Sequence, residues 1–139
     1  PEQPAFLVEP ASQQDDIAVG GSHTTVVWGT EVFDQGGNFA SNTFTAPVTG
    51  KYMFTFNIVW LNIDSAASYY QVGLEVSGYD FEHEFDPDFG QDAVSFLCAG
   101  SILVDMDAND TCYLRVKQPN GTQQSDIGTA SYFSGYLVC

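Results

Sequence analysis

Residues 42–56, N-T-F-T-A-P-V-T-G-K-Y-M-F-T-F, join a short strand, a Pro/Gly turn and a long aromatic strand without interruption. Pro47 fixes its own φ and lacks a donor, while Gly50 permits a change of backbone sign just before the next strand. Beyond the turn, Tyr52, Phe54, Phe56, Ile58 and Trp60 fall on one face at period two, with Met53, Thr55, Asn57, Val59 and Leu61 on the other. The first face is a core face. The second is mixed yet still rather apolar, as expected of a central strand whose outer side is covered, a second subunit being one such cover.

The rest of the chain repeats this grammar. Strands are expected at 5–9, at 24–33 as one strand or a broken pair, at 43–46, 51–62 and 68–77, at 93–104 and 111–117 as a hairpin across 105–110, and at 130–138. Acidic or Gly/Pro-rich runs separate them, and no window keeps a helical period. The result is an all-β chain of about eight to ten strands, a number that a two-sheet antiparallel jelly-roll sandwich accommodates and an immunoglobulin sandwich does not need. At 139 residues it is one domain, 1–139, long enough to bury roughly 70% of its unfolded surface. No apolar run approaches the ~18 residues of a membrane span. The chain starts at Pro1 without a leader pattern, the expectation for the C-terminal head of a longer protein.

Cys98, Cys112 and Cys139 make an odd count. Cys98 shares a face with Val94, Phe96, Ile102 and Val104, and Cys112 shares one with Leu114 and Val116, so both read as small buried hydrophobes. A turn near Asp107 would leave them out of register for a bridge, and Cys139 is expected to be free. Unpaired thiols fit assembly in a reducing cell, as for a virion component, better than a small secreted domain.

Three blocks stand out together: Pro4-Ala5-Phe6, then Phe44-Thr45-Ala46-Pro47-Val48-Thr49-Gly50-Lys51-Tyr52-Met53-Phe54, then Ser131-Tyr132-Phe133-Ser134-Gly135-Tyr136-Leu137. In order and separation the chain resembles the C1q-type globular head of the tumour-necrosis-factor-like jelly-roll superfamily over almost its whole length. The resemblance implies a homotrimer packed around a threefold axis, often at the tip of a stalk, and in some heads calcium near the apex. Candidate subunit contacts are the mixed face of the long strand (Met53, Thr55, Asn57, Val59) with Tyr52, Tyr132 and Tyr136. For Tyr52 and Tyr136, filling the monomer core is the competing role.

The net charge of −15, with Lys51, Arg115 and Lys117 as the only bases, argues against nucleic acid and anionic membranes as partners. A cationic or neutral surface, a glycan or divalent ions suit it better. The densest charge lies in residues 80–92, D-F-E-H-E-F-D-P-D-F-G-Q-D. If 80–86 are extended, Asp80, Glu82, Glu84 and Asp86 line one face, while Phe81 and Phe85 take the other with His83 between them. This face reads as a solvated edge strand, as a Ca²⁺ site built from Asp80, Glu82, Glu84 and Asp86, or as a ligand contact through Asp80, Glu82, His83, Glu84, Asp86 and Asp88. His23 and His83 are too far apart for a ligand motif and read as surface histidines. Asn109-Asp110-Thr111 and Asn120-Gly121-Thr122 satisfy the N-glycosylation pattern in expected turns.

No G-x-S-x-G, H-E-x-x-H, C-x-x-C or phosphate loop occurs, so the chain is not expected to be an enzyme; a glycan hydrolase using a carboxylate pair is the catalytic alternative. The favoured reading is a non-catalytic trimeric recognition or adhesion head binding a cell-surface glycan or protein, at the tip of a virion (phage) fibre. The wording of residues 31–44 also resembles viral members more than vertebrate ones. The alternatives are a secreted animal protein in innate recognition or cytokine-like signalling, and a purely structural trimerisation knob. Expected locations are accordingly the virion surface or the extracellular space.

Overall fold

The computed structural model describes residues 2–139; Pro1, first residue of the expected domain, lies outside the described residues. Among the described residues there are twelve strands: β1 (Ala5–Glu9), β2 (Thr24–Thr25), β3 (Thr30–Gln35), β4 (Phe39–Ala40), β5 (Thr43–Thr45), β6 (Gly50–Ile63), β7 (Tyr70–Val76), β8 (Tyr79–Phe85), β9 (Ala93–Met106), β10 (Thr111–Lys117), β11 (Asp126–Ile127) and β12 (Tyr132–Leu137). They form two antiparallel sheets face to face. The first runs β9-β6-β12-β1-β3, with β11 beside β6 beyond the end of β12. The second runs β8-β7-β10-β5-β4, with β2 on the same edge of β10 as β5. Among the described residues no helix is long and apolar enough to cross a membrane.

The period-two reading of β6 is carried through. Tyr52, Phe54, Phe56, Ile58 and Trp60 are all at most 2% exposed. The three sequence blocks meet in one aromatic cluster: Phe6 lies 5.0 Å from both Phe44 and Phe133, and Phe54 lies 5.7 Å from Phe44 and 5.9 Å from Phe133. Each such pair adds about 0.5–1.5 kcal/mol to the burial of its area. Residues remote in the chain are thus joined through the core.

Four expectations are corrected. First, β9 and β10 do not form a hairpin: β9 pairs with β6 along its length in the first sheet, and β10 pairs with β7 in the second. The segment between them carries the chain across the sandwich, tied by Asn109 N–H to Ala46 O and Ala46 N–H to Asp110 O, both 2.8 Å. Alternation fixes which face a strand buries, and two strands that face each other across a core alternate just as two paired strands do. Second, Gly50 keeps an ordinary backbone sign; its lack of a side chain matters because a Cβ would stand 2.6 Å from Cys139 O. Third, Val94 is 83% exposed, because Asn62 at φ 57 reverses the phase of β6, burying Ile63 and turning Ala93 inward opposite it. Fourth, Tyr52 is wholly buried, its hydroxyl donating to Val48 O at 2.7 Å, so it offers no surface to another subunit.

Cys98 stands on the first sheet opposite Ile58, and Cys112 on the second opposite Val76. Cys98, Cys112 and Cys139 are all free thiols, and burial pushes those of Cys98 and Cys112 up.

Candidate functional site

The acidic segment becomes β8, the edge strand of the second sheet, turned back on β7 through Ser77 and Gly78 at φ 40 and 94. Two consecutive positive φ angles with glycine second make a tight hairpin turn whose twist matches that of the strands. The alternation then holds. Phe81 and Phe85 pack on the core, Phe85 stacking on Tyr70 at 5.2 Å and on Phe96 at 4.1 Å. His83 points the same way, edge-on to Phe56 at 5.1 Å, so it does not join the carboxylates.

The outer face separates the expected acids. Asp80 is held by Arg115, whose Nη2 donates to Oδ2 at 3.0 Å. Asp80 and Glu82 lie close enough to share a hydrogen bond; that bond to Asp80, then burial, raises the Glu82 carboxyl above its usual value. Burial alone would raise Asp80 too, but the hydrogen bonds from Glu82 and Arg115 outweigh it and hold Asp80 low. Glu84 turns to Gln71, whose amide donates to its Oε1 at 2.8 Å. Asp86 lies beyond the end of β8, where Oδ1 accepts the Asp88 N–H at 3.0 Å. The four-carboxylate Ca²⁺ cage is therefore not assembled: Asp80 and Glu82 come together, while Glu84 and Asp86 are engaged elsewhere.

A residue that sequence reasoning had set apart as a surface histidine joins Asp80 and Glu82 instead. His23, just before β2, reaches across the sheet and places a ring nitrogen within 4.8 Å of oxygens of Asp80 and Glu82. Its Nε2 lies 3.0 Å from Oε1 of Gln71. Gly73 opposite Glu82 was a readable sign that something lies flat over this strand, but nothing local links it to position 23.

At one end of the sandwich, Asp64 is 3% exposed and accepts N–H bonds from Ala66 at 2.8 Å, Thr122 at 2.7 Å and Gln123 at 2.8 Å. The Gln123 bond leads in holding its carboxyl below the usual range, against the opposing effect of burial. Asp92, the last acid of the segment, holds Ser65 through N–H and hydroxyl bonds of 2.9 and 2.8 Å. These acids fasten loops to one another.

The model of the C1q domain matches residues 5–138. The chain belongs to the C1q domain family. Among solved structures, the globular domain of zebrafish complement 1qA protein superposes with a TM-score of 0.68 at 17% identity, over 99% of this chain and 98% of that one. Murine APRIL at pH 8.5 gives 0.65 at 12% identity, covering 99% and 100%, and at pH 8.0 gives 0.67 at 11% with the same coverage. No curated protein sequence matches significantly. At these identities the structures speak for the fold alone.

The outer face of this C1q domain's first sheet is where the remaining interface candidates stand. Tyr136, Met53 and Leu103 form one row of paired residues, Tyr132, Asn57 and Ala99 another, and Val59 faces Leu97. Met53, Thr55 and Val59 are half-buried, and Tyr132 and Tyr136 are exposed. Asn57 is already covered, with Oδ1 buried and unpartnered. Leu97 and Leu103 extend the face, as does Phe33 on β3; all three are exposed. Their alternation within 93–106 was legible, but only pairing with β6 puts Leu97 and Leu103 beside Val59 and Met53.

Proposed function

We propose that this C1q domain is a homotrimeric, non-catalytic recognition head. The carrying observation is the contrast between its two outer faces. That of the first sheet is largely apolar, with Met53, Val59, Leu97, Leu103, Tyr132 and Tyr136 around a row of Ser134, Thr55 and Ser101 and a buried, unpartnered Asn57 oxygen. That of the second is charged, with Asp80, Glu82 and Glu84 beside Arg115. An apolar surface of this kind is held from water by another protein surface, and a cyclic assembly of identical copies does so with one interface type. The charged face and the 86–92 loop then point outward, three copies together, to bind a cell-surface protein or glycan with avidity.

Light scattering tests the assembly: a trimer has three times the 15.1 kDa chain mass, about 45 kDa. A monomer at physiological salt refutes it. For recognition, the combined substitutions Glu82→Gln, Glu84→Gln, Asp86→Asn and Asp88→Asn, which keep Phe81 and Phe85 on the core, should abolish binding to target cells while leaving the trimer intact; unaffected binding would leave the domain a structural knob.

Free thiols at Cys98, Cys112 and Cys139 favour assembly in a reducing compartment and so a virion fibre, with the domain displayed on the virion surface. The family membership favours equally a secreted animal protein of innate recognition or cytokine-like signalling. Antibody against the domain that decorates fibre tips supports the first, and antigen found only in secreted fluid supports the second.

A further inference from the structure

Three metal-ligating side chains from opposite edges of the second sheet meet over Gly73. His23 precedes β2 on one side, Asp80 and Glu82 stand on β8 at the other, and β10 and β7 run between them. With strands about 4.8 Å apart, side chains from β2 and β8 reach each other only by lying flat across the sheet. They do so, with one ring nitrogen and one oxygen from each carboxylate all within 4.8 Å. Gly73 leaves the room: a Cβ there would stand 2.9 Å from Asp80 Oδ1.

The ring is also oriented. Gln71 is 3% exposed, and its amide nitrogen is committed to Glu84, so its oxygen faces His23 and accepts from Nε2. In the neutral ring this leaves Nδ1 as the nitrogen with the free lone pair. A histidine whose second nitrogen donates to an oxygen is the arrangement that stands behind metal-bound imidazoles.

Charge agrees. Glu75 and Glu84 join Asp80 and Glu82 around the site, against Arg115 and Lys117. Four carboxylates less two bases leave two negative charges, the charge of one divalent ion.

We propose that His23, Asp80 and Glu82 form a divalent transition-metal site whose preferred ion is Zn²⁺. An imidazole with two carboxylates matches zinc's mixed N/O preference and leaves a position open for water or a partner's donor, whereas Ca²⁺ and Mg²⁺ select all-oxygen sets. The site lies on the sheet opposite the apolar face, so it stands whether or not the domain is a trimer. A bound ion ties the segment before β2 to the edge strand β8 and gives the charged face a cationic centre.

The test is calorimetric titration of ZnCl₂ into a Cys139→Ser variant, which removes the exposed thiol as a competing ligand. Saturable binding of one Zn²⁺ per chain is expected, with no comparable binding of Ca²⁺. His23→Ala and Glu82→Gln, each verified as folded by circular dichroism, should weaken it by roughly tenfold or more. Long-range ¹⁵N NMR should show the His23 ring nitrogens moving on zinc addition. Absence of binding, affinity unchanged from the parent in either variant, Ca²⁺ binding as tightly, or an unmoved His23 ring overturns the proposal.

Discussion

Replacing Gly135 by alanine adds one methyl group at the most crowded point of the aromatic cluster. Gly135 lies in β12 opposite Phe54 and has no positive φ, so alanine meets no backbone strain. Its Cβ would stand 2.5 and 2.7 Å from Cδ1 and Cε1 of Phe54 and 2.9 Å from Cε1 of Phe6, where carbon atoms prefer about 3.5–4.0 Å. Neither ring has free space to retreat into: Phe54 is 0% and Phe6 1% exposed. Overpacking of this kind costs about 1–3 kcal/mol, and two trapped rings place the site at the upper end. The smaller entropy of the unfolded alanine chain returns about 0.4–1 kcal/mol. The net expectation is a loss of about 2 kcal/mol. Urea unfolding followed by the fluorescence of the buried Trp28 and Trp60, at one fixed chain concentration, measures it. Gly128→Ala, whose Cβ would meet Leu61 at 3.3 Å, is the matched control with a small effect. Combining Gly135→Ala with Phe54→Leu should recover at least about 1 kcal/mol of the loss. A Gly135→Ala protein as stable as the parent, or an equal loss in the Phe54→Leu background, would refute the packing argument.

Further outcomes are expected. Asp64→Asn should cost about 2–4 kcal/mol by weakening three charge-assisted bonds; because the folded Asp64 carboxyl sits below its unfolded value of 3.8, its contribution is present above that pH and is lost as pH falls through the folded value, so the acid limb of a stability-against-pH curve should flatten in the variant. Arg115→Ala and Asp80→Asn should couple by about 1 kcal/mol in a double-mutant cycle, less at high salt, since the pair is partly solvated. Tyr136→Asp should reduce the mass found by light scattering without changing the circular dichroism, whereas Tyr52→Phe should leave the mass unchanged and lose only about 1 kcal/mol with its bond to Val48; assembly of three chains of charge −15 should also strengthen with salt.

The two tyrosines show how far face assignment reaches. Met53 and Tyr52 could be put on opposite faces by counting, and the inward side was rightly the one with Phe54 and Phe56. Yet Tyr52 and Tyr136 both remained open between core and interface. A tyrosine carries an apolar ring and a hydroxyl, and which role it takes depends on whether a carbonyl such as Val48 O waits inside. Edge position was open in the same way for β8. Its alternating acids and aromatics fit the observed strand, but a count along the chain cannot say which neighbour each acid meets. Glu84 is taken by Gln71 and Asp80 by Arg115, and those partners come from other strands.

The sequence by itself determined most of the longer strands, the core face of β6 and, through three separated blocks, the family, and it offered the acid-rich edge as one reading of 80–86. Those signals are local, because a side chain's face follows from a two-residue period and a turn from the φ its residues tolerate. Tertiary structure alone decided that β9 and β10 belong to different sheets, that Leu97 and Leu103 join the face of Met53 and Val59, and that His23 meets Asp80 and Glu82. Each of these depends on which edges of which strands close on one another. That closure is set by filling one core with all the buried side chains at once, and no window of the chain contains it.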